Sequence, residues 1–273
     1  MANLTLDAVR PLLAAEGIDC AGLVPLAACR VTRAYLLARA GLPAGAGSVI
    51  MLALPYRAAG ETDANLSAYA IPPDYHHIAA ALFARLIPAL EAHFPGAKFA
   101  GFADHSPIDE RHAAAIAGLG VIGDNGLIIT KRYGTYVFLA ELITDLPTDA
   151  APGEIGTCAH CGACRAACPV GLDWSRCLSA LTQKKGELTA DEAAALIAHG
   201  SVWGCDICQN ACPHNRAAVC APLPAFTADR IPHLTAAIVE AMDDDTFARR
   251  AYAWRGRAVI LRNLRLMEET SRV

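Results

Sequence analysis

Two cysteine runs constrain this chain more than any other feature of its sequence. A run of four cysteines that ends in Cys-Pro binds one 4Fe-4S cluster through three thiolates, while its fourth cysteine binds a neighbouring cluster. The proline prevents a helix from continuing through the last cysteine. The first run has the spacing C-x2-C-x2-C-x3-C-P, and the second has C-x2-C-x3-C-P. The runs therefore predict two 4Fe-4S clusters, and they comprise Cys158, Cys161, Cys164, Cys168 and Pro169, and then Cys205, Cys208, Cys212 and Pro213.

The spacing leaves one ligand position open. The first cluster takes four thiolates, from Cys158, Cys161, Cys164 and Cys212. The second cluster takes Cys168, Cys205 and Cys208, which is one ligand too few, because Val202 stands where a symmetric second run would begin. Cys177 and Cys220 are the nearby candidates for the missing ligand. Cys177 is favoured because it lies between the two runs.

Zinc and disulfides explain these cysteines less well. Zinc sites are typically built from two separate cysteine pairs, whereas the first run is continuous and ends in Cys-Pro. Disulfides need an oxidising compartment. The sequence starts Met1-Ala2-Asn3 without the basic and apolar regions of a signal peptide, which predicts a cytoplasmic protein. The two remaining cysteines, Cys20 and Cys29, have apolar neighbours and are expected to be core thiols.

The composition indicates a compact globular protein. Hydrophobic residues make up 54% of the chain and charged residues 18%, the opposite of the balance in disordered chains. No apolar stretch reaches the roughly 18 residues that a membrane helix needs. The net charge of −4 gives no overall attraction to nucleic acid or membranes. The protein is expected to be a monomer that does not associate with membranes.

Apolar patterns outside the cysteine runs predict an α+β protein. Residues 49–54 form a continuous apolar run, which is typical of a strand buried on both faces. Residues 136–142 predict a second such strand, and residues 75–92 predict a long helix. Three domains are predicted: a mixed-sheet α/β domain over 1–150, a ferredoxin-like domain with two clusters over 151–222, and a C-terminal helical segment over 223–273.

A glycine-rich string, G-x-G-x-x-G, runs from Gly118 to Gly123. A dinucleotide-binding fingerprint requires a strand before this string and a helix after it. Here a helix is predicted before it, and a β-rich stretch over residues 127–130 after it. A dinucleotide site is therefore rejected, and the glycines allow close approach to a large planar ligand or to a packed neighbour.

Residues 249–265 form a basic segment with six arginines, no acidic residue and two interleaved aromatic residues. Basic residues among aromatic ones are typical of nucleic-acid contacts. The alternative is an amphipathic helix whose arginines are solvated or pair with the cluster domain. The sequence alone favours neither. The arginines are Arg249, Arg250, Arg255, Arg257, Arg262 and Arg265.

The order of these motifs resembles the epoxyqueuosine reductase family, whose members are cobalamin-dependent iron–sulfur enzymes. Besides the two cysteine runs, the resemblance includes the segments 103–111, 117–120, 133–141 and 176–182, and the closing segments 203–206 and 254–263. The segment 176–182 looks like the one that supplies the odd cluster ligand, which supports Cys177. This chain resembles a short, divergent member without the helical-repeat domain that commonly follows.

The resemblance implies reduction of the epoxide of a modified tRNA base to the alkene of queuosine. It implies bound cobalamin, two clusters, an external electron donor and a tRNA partner, for which the basic segment 249–265 is the candidate contact. Asp104 aligns with the family's catalytic acid, although an Asp before Ser-Pro can also simply cap the next helix. Motif alignment places the cofactor-binding residues at Arg57, Asp104, Gly118, Gly120, Gly123, Asn125 and Tyr136.

Departures from the family pattern keep other functions open. The segment 68–73 reads AYAIPP where the family has basic and aromatic residues, and Asp124 stands where a lysine is common. Each change removes positive charge, on which nucleic-acid affinity depends. The alternatives are a corrinoid and iron–sulfur reductase of a small molecule, similar to reductive dehalogenases, and a non-enzymatic electron carrier with two clusters.

Overall fold

The computed structural model describes residues 3–43, 47–61 and 63–270. Short 3-10 turns connect several of its helices and strands. The strands are β1 Ala21–Pro25, β2 Ser48–Pro55, β3 Phe99–Phe102, β4 Gly120–Ile122, β5 Ile128–Thr130 and β6 Val137–Thr144. The helices are α1 Leu6–Ala15, α2 Ala34–Arg39, α3 Tyr75–His93, α4 Glu110–Ile116, α5 Ala163–Ala167, α6 Leu178–Thr182, α7 Ala190–His199, α8 Ile207–Asn210, α9 Ala236–Ala241, α10 Asp244–Ala248 and α11 Arg257–Thr270.

The chain folds into two compact units that interleave along the sequence. The first unit comprises Met1–Pro55, Ile78–Cys161 and Arg216–Val219. The second comprises Tyr56–His77, Gly162–Asn215 and Cys220–Val273. The segment 56–77 thus belongs to the unit that contains most of the cysteines, although the sequence places it in a domain 1–150. Sequence order could not show this, because the segment's partners lie more than a hundred residues away.

A four-stranded sheet with the order β1-β2-β6-β3 forms the centre of the first unit. Its central strand β2 is buried at every position, as its continuous apolar sequence predicts. All three strand pairs are antiparallel, whereas the sequence predicts a mixed sheet. The reason is that a run of buried apolar residues reports burial on both faces but carries no information about strand direction.

Helices cover both faces of this sheet. On one face, α4 packs with alternate residues of β2, namely Val49, Met51 and Ala53, in a shared apolar core. On the other face, the Phe83 ring of α3 lies so close to Gly101 of β3 that a Cβ there would be 2.3 Å from the ring. Cys29 belongs to the core beneath α4, and burial raises the pKa of its thiol to about 12. It is therefore a core thiol.

The glycine-rich string forms a β-hairpin in the first unit. Strand β4 includes Gly120 and pairs antiparallel with β5. Only the ends of the string turn, since residues 120–122 are extended and paired with β5. A Cβ at Gly120 would lie 2.3 Å from the Ile129 carbonyl oxygen. The close approach that this glycine allows is to its own neighbouring strand.

The second unit has an apolar core around the ring of Trp203, which is fully buried. Residues from α9, α10 and α11 contribute to it, including Val239, Phe247 and Ile260. The C-terminal segment that the sequence predicts to be helical is thus divided into three separate helices. The first of them stops at Met242, and Asp243 begins α10 by accepting a hydrogen bond from the Thr246 N–H at 2.6 Å.

The predicted α+β class is confirmed, with antiparallel sheets in the first unit and short helices in the second. Within the described parts of the chain, we find no helix with both the length and the apolar character needed to cross a membrane.

Candidate functional site

Four cysteines predicted to bind the second cluster lie on short helices of the second unit. Cys168 ends α5, and its N–H donates to the Cys164 carbonyl at 3.2 Å. Cys177 is the residue immediately before α6. Cys205 lies just before α8, and Cys208 lies within it. Helix α5 packs against α8, so thiols that are up to forty residues apart in the sequence meet in one place.

The thiols of this group interact electrostatically. Burial, the charge of Asp206 and the neighbouring Cys177 and Cys168 thiols together raise the pKa of Cys205 to about 11. Burial likewise raises the pKa of Cys208 to about 11, with contributions from Cys205, Cys168 and Cys177, and also from Cys164. Four half-buried thiols that influence one another electrostatically are the donor set that a cubic iron–sulfur cluster requires. The chemistry of these residues therefore fits a 4Fe-4S cluster.

A half-buried carboxylate supports the chain beside Cys205. Asp206 accepts hydrogen bonds from Ser67 Oγ at 2.6 Å and from the Ala68 N–H at 2.7 Å. Burial raises the pKa of Asp206, while these two hydrogen bonds act in the opposite direction. Asp206 thus connects the divergent segment 68–73 to the cysteine helices. In the sequence, the only sign of this role is an acidic residue next to a cysteine.

Gly204 allows the backbone before Cys205 to lie close to Ser67 and Tyr69. It has a φ of +76°, and a Cβ there would lie 2.5 Å from Ser67 Cβ and 2.8 Å from the Tyr69 ring. Its N–H donates to Thr182 Oγ1 at 2.9 Å, which ties it to the end of α6. Only glycine tolerates both the backbone conformation and the contact.

The cysteines predicted to bind the first cluster have different environments. In the first unit, Cys158 is half-buried and its N–H donates to the Ile122 carbonyl at 3.2 Å, while Cys161 is exposed. In the second unit, Cys164 is half-buried within α5 and Cys212 is buried. The chain's eleven cysteines, all within the described residues, form no disulfide.

Asp124 and His160 lie next to Cys158. The His160 Nδ1 is 2.7 Å from Asp124 Oδ1, and one ligand atom from each of the three residues lies within 4.8 Å of the others. Asp124, at a position where the family that the sequence resembles commonly has a lysine, thus has a histidine partner in the same unit. Neither residue was predicted as part of a site, because the two are 36 positions apart.

The predicted acid Asp104 lies in a loop between β3 and α4, in the first unit. It is exposed and adopts a left-handed conformation with φ of +62°. It does not cap α4, because Asp109 does: its side chain accepts from the His112 N–H at 3.2 Å. The purely structural explanation of Asp104 as a helix cap is therefore wrong, and its catalytic role stays a prediction.

Two carboxyl groups lie beneath this loop. The Asp104 N–H donates to Glu110 Oε1 at 2.9 Å. The Glu110 carboxyl group interacts with that of Glu141, which is fully buried on β6. Arg33 Nη1 donates to the carbonyls of Asp104, at 3.4 Å, and of Ser106, at 3.2 Å. Neither glutamate was predicted as a functional residue, because their proximity depends on the sheet.

The residues aligned as cofactor-binding have the following positions in the first unit. Gly118 has a φ of +77° with open space where a Cβ would lie, and Gly123 lies against Asn125 Oδ1. Asn125 is buried, and its Nδ2 has no hydrogen-bond partner among the described residues. Tyr136 is buried, and its N–H donates to the Tyr133 carbonyl. A buried amide donor without a partner suits the carbonyl groups that surround a corrin ring. Arg57 is half-buried in the second unit.

Three of the arginines in the basic segment bind the protein's own backbone. Arg250 is buried and donates to the carbonyls of Asp229 and Ile71. Arg257 donates to three carbonyls that include those of Val239 and Met242 at the end of α9. Arg262 donates to the Lys184 carbonyl. These three are structural residues, so only part of the segment is available to a partner.

The rest of the segment is more accessible. Arg249 and Arg265 are exposed, and Arg265 forms an ion pair with Glu240 at 2.8 Å. The Arg255 guanidinium stacks on the exposed Trp254 ring at 3.7 Å. An exposed indole beside a guanidinium is a surface on which a base can stack.

Comparisons with known proteins agree with the family that the motifs predict. Residues 39–105 match the family model described as Epoxyqueuosine reductase QueG, DUF1730. The epoxyqueuosine reductase of Gloeobacter violaceus is 37% identical over 182 residues, which cover 63% of this chain and 57% of that protein. The Escherichia coli enzyme is 36% identical over 159 residues, covering 55% of this chain and 41% of that protein. The chain spans about half the length of the curated relatives it matches.

Solved structures show the same fold. Epoxyqueuosine reductase from Streptococcus thermophilus superposes with a TM-score of 0.76 at 24% identity, over 97% of this chain and 81% of that one. An epoxyqueuosine reductase solved with an epoxyqueuosine-modified tRNA stem loop gives 0.77 at 24% identity, over 96% of this chain and 80% of that one. The chain is therefore a relative of the epoxyqueuosine reductases, similar to them in sequence over more than half of its length and in fold over nearly all of it.

Proposed function

We propose that this protein is a cobalamin- and iron–sulfur-dependent reductase that converts epoxyqueuosine in tRNA to queuosine. The observation that carries the proposal is the sequence similarity, at 37% identity, to proteins with that activity in their name. The grouping of four thiols in the second unit supports it, because an oxidoreductase of this kind needs bound electron carriers.

The reaction removes the epoxide oxygen as water and leaves a carbon–carbon double bond. It consumes two electrons and two protons for each epoxide. Clusters transfer electrons one at a time, so a two-electron centre has to stand between them and the substrate. Bound cobalamin would supply that centre through its reduced cobalt.

Asp104 would donate a proton to the departing oxygen. A carboxyl group that performs this step has to be protonated near neutral pH and close to the reacting oxygen. The Asp104 side chain is exposed, which leaves it accessible to a substrate, and its backbone N–H is held by Glu110. Asn125, with its unpartnered Nδ2, is the buried residue that would orient the corrinoid.

We assign the second cluster to Cys168, Cys177, Cys205 and Cys208, and this assignment is supported by the mutual interactions of their thiols. The first cluster is assigned from spacing to Cys158, Cys161, Cys164 and Cys212. An external donor would supply the electrons.

Transfer RNA would contact the exposed part of the basic segment. A related reductase has been solved with an epoxyqueuosine-modified tRNA stem loop. In this chain Arg249, Arg255 and the exposed Trp254 provide charge and a stacking surface. Because three of the six arginines bind backbone carbonyls, fewer are available to contact phosphates. The affinity for tRNA should therefore be weaker, and should depend less on salt, than with six free arginines.

The decisive experiment compares Asp104→Asn with Asp109→Asn in protein loaded with iron, sulfide and cobalamin. Asp104→Asn is expected to keep its iron and its corrinoid spectrum but to lose about 100-fold or more of its turnover on epoxyqueuosine-containing tRNA, because general acid catalysis contributes about that much. Asp109→Asn should stay active, since asparagine also caps helices well. Full activity of Asp104→Asn would remove that residue from the mechanism, and an inactive wild type would refute the proposed substrate.

A further inference from the structure

Glu141 is a charged residue type in an environment that does not tolerate a charge. It lies on β6, between its register partners Met51 on β2 and Phe102 on β3, and its exposed fraction is 0%. Its Oε1 accepts a short hydrogen bond from Ser106 Oγ. Its Oε2 is buried, and no hydrogen-bond donor among the described residues faces it. A buried carboxylate oxygen without a donor is strongly unfavourable.

The neighbour of Glu141 within this pair is another carboxyl group, that of Glu110. Two carboxylates offer four acceptor oxygens and no donor, so a hydrogen bond between them requires a proton on one of them. Burial and the neighbouring negative charge of Glu110 raise the pKa of Glu141 well above its ordinary value. Glu141 is therefore the member that holds the proton.

Glu110 has the environment of the ionised member. Burial raises the pKa of Glu110 as well, but the hydrogen bond that it accepts from the Asp104 N–H and the positive charge of Arg33 act in the opposite direction and favour its carboxylate. Two further titratable groups interact with the pair. The Asp104 carboxyl interacts electrostatically with Glu110, and the Cys29 thiol interacts with Glu141. Arg33 is thus the cation among these neighbours, and it also binds the loop carbonyls.

The pair holds the loop in an unusual conformation. Asp104 has a φ of +62°, which a residue with a side chain adopts only when its surroundings stabilise it. Its N–H is fixed by Glu110, and two residues later Ser106 is fixed by Glu141. Ser106 Oγ also accepts the Ile108 N–H at 3.1 Å, which closes the loop onto α4.

We propose that Glu141 remains protonated, donates a hydrogen bond to the Glu110 carboxylate, and with it forms a carboxyl pair that positions the loop carrying Asp104. The inference rests on the proposed function only in taking Asp104 as the proton donor. Glu110 and Glu141 are positioning residues, and the negative charge of Glu110 also favours the protonated form of a neighbouring acid.

Infrared spectroscopy of the cluster-loaded protein at about pH 8 tests the proton directly, since ordinary glutamates are ionised there. The wild type is expected to show a protonated-carboxyl band that shifts in heavy water and is absent from Glu141→Gln. The matched control Glu187→Gln, at an exposed position, should keep the band. If the wild type and Glu141→Gln have the same carboxyl spectrum, the proposal is overturned, whatever the substrate of the protein is.

Turnover tests the positioning role. Glu141→Gln should retain activity within about threefold, because its amide can still donate to Glu110, whereas Glu141→Leu should lose about 100-fold or more while keeping its iron. For Glu110→Gln, the alkaline limb of the plot of kcat against pH should move to lower pH. The reason is that the substitution removes a negative charge beside Asp104, which favours the protonated form of that acid. Equal activity of the Gln and Leu variants at Glu141, or an unmoved limb in Glu110→Gln, would contradict the positioning role.

Discussion

At the residue scale, the most informative side chains are those whose environment conflicts with their chemistry. Glu141 is buried within an apolar sheet, Asp206 is half-buried beside Cys205, and Arg250 is buried against two backbone carbonyls. Both carboxylate oxygens of Asp206 accept a hydrogen bond, and two nitrogens of Arg250 donate one, which offsets the loss of their hydration. Glu141 Oε2 has no donor among the described residues, so the group is stable there only when it carries a proton. Protonation state is therefore part of the structure at this residue.

The raised pKa of Glu141 makes stability depend on pH. Because the folded-state pKa lies above that of the unfolded chain, the folded protein binds the proton more tightly, and its stability falls as pH rises from about 4.5 towards the folded pKa. We expect Glu141→Gln to lose this dependence. Between about pH 5 and pH 8, its free energy of unfolding should therefore fall less than that of the wild type as the pH rises. Anaerobic urea denaturation across that range provides the measurement.

The exposed variant Glu187→Gln is the control for general charge effects, and it should follow the wild type. Parallel pH curves for the wild type and Glu141→Gln would mean that Glu141 titrates equally in the folded and unfolded chains.

At the element scale, short helices carry the proposed cluster ligands, and their ends are defined by local chemistry. Helix α7, between the two cysteine runs, has a capping box in which Thr189 and Glu192 satisfy each other's backbone N–H groups. It ends at Gly200, which has a φ of +75°. Helix α11 is held by Asn263, whose buried amide donates to the Thr182 and Val202 carbonyls at 2.7 and 2.9 Å. These contacts fix α6, which begins directly after Cys177.

The position of Cys177 before α6 predicts which cysteine completes the second cluster. Cys177→Ser is expected to reduce the iron content of anaerobically reconstituted protein from about eight to about four atoms per chain, because a cluster missing one thiolate is lost. Cys220→Ser is the matched comparison and should keep about eight. Iron analysis, with electron paramagnetic resonance of the reduced protein, gives the answer. The reverse pattern would assign the ligand to Cys220.

At the scale of the whole molecule, the two units differ in what stabilises them. The first unit has a sheet with a central strand that is fully buried and helices on both faces. The helices around the proposed ligands in the second unit are only four or five residues long, in α5, α6 and α8. Helices this short have little stability of their own. Metal binding in such segments contributes directly to folding.

Removal of iron is therefore expected to loosen the second unit selectively. After anaerobic chelation, backbone amides of α5, α6 and α8 should exchange with heavy water at least tenfold faster, while those of β2 and β6 should keep their protection. Hydrogen–deuterium exchange with mass spectrometry measures both regions in one experiment. An equal loss of protection in β2 and β6 would show that the metal supports the entire fold.

Much of this molecule could be predicted from local sequence. The cysteine spacing identifies the ligand candidates, because a cluster imposes short, fixed intervals on the chain. The apolar run at β2 and the periodic pattern of α3 identify buried elements, because burial is visible in the residue types themselves. A dinucleotide site could be excluded because a helix precedes the glycines and a strand follows them, which is the reverse of the fingerprint.

Only the tertiary structure decided the features that depend on residues far apart in the chain. It set the direction of the strands, the break between α9 and α10, and the membership of the segment 56–77 in the second unit. It also decided that Arg250, Arg257 and Arg262 bind backbone carbonyls, and that Glu110 and Glu141 meet beneath Asp104. Sequence determines which groups are present and how they are locally spaced. The charge and the partner of a buried group are set by whatever the fold brings within hydrogen-bonding distance of it.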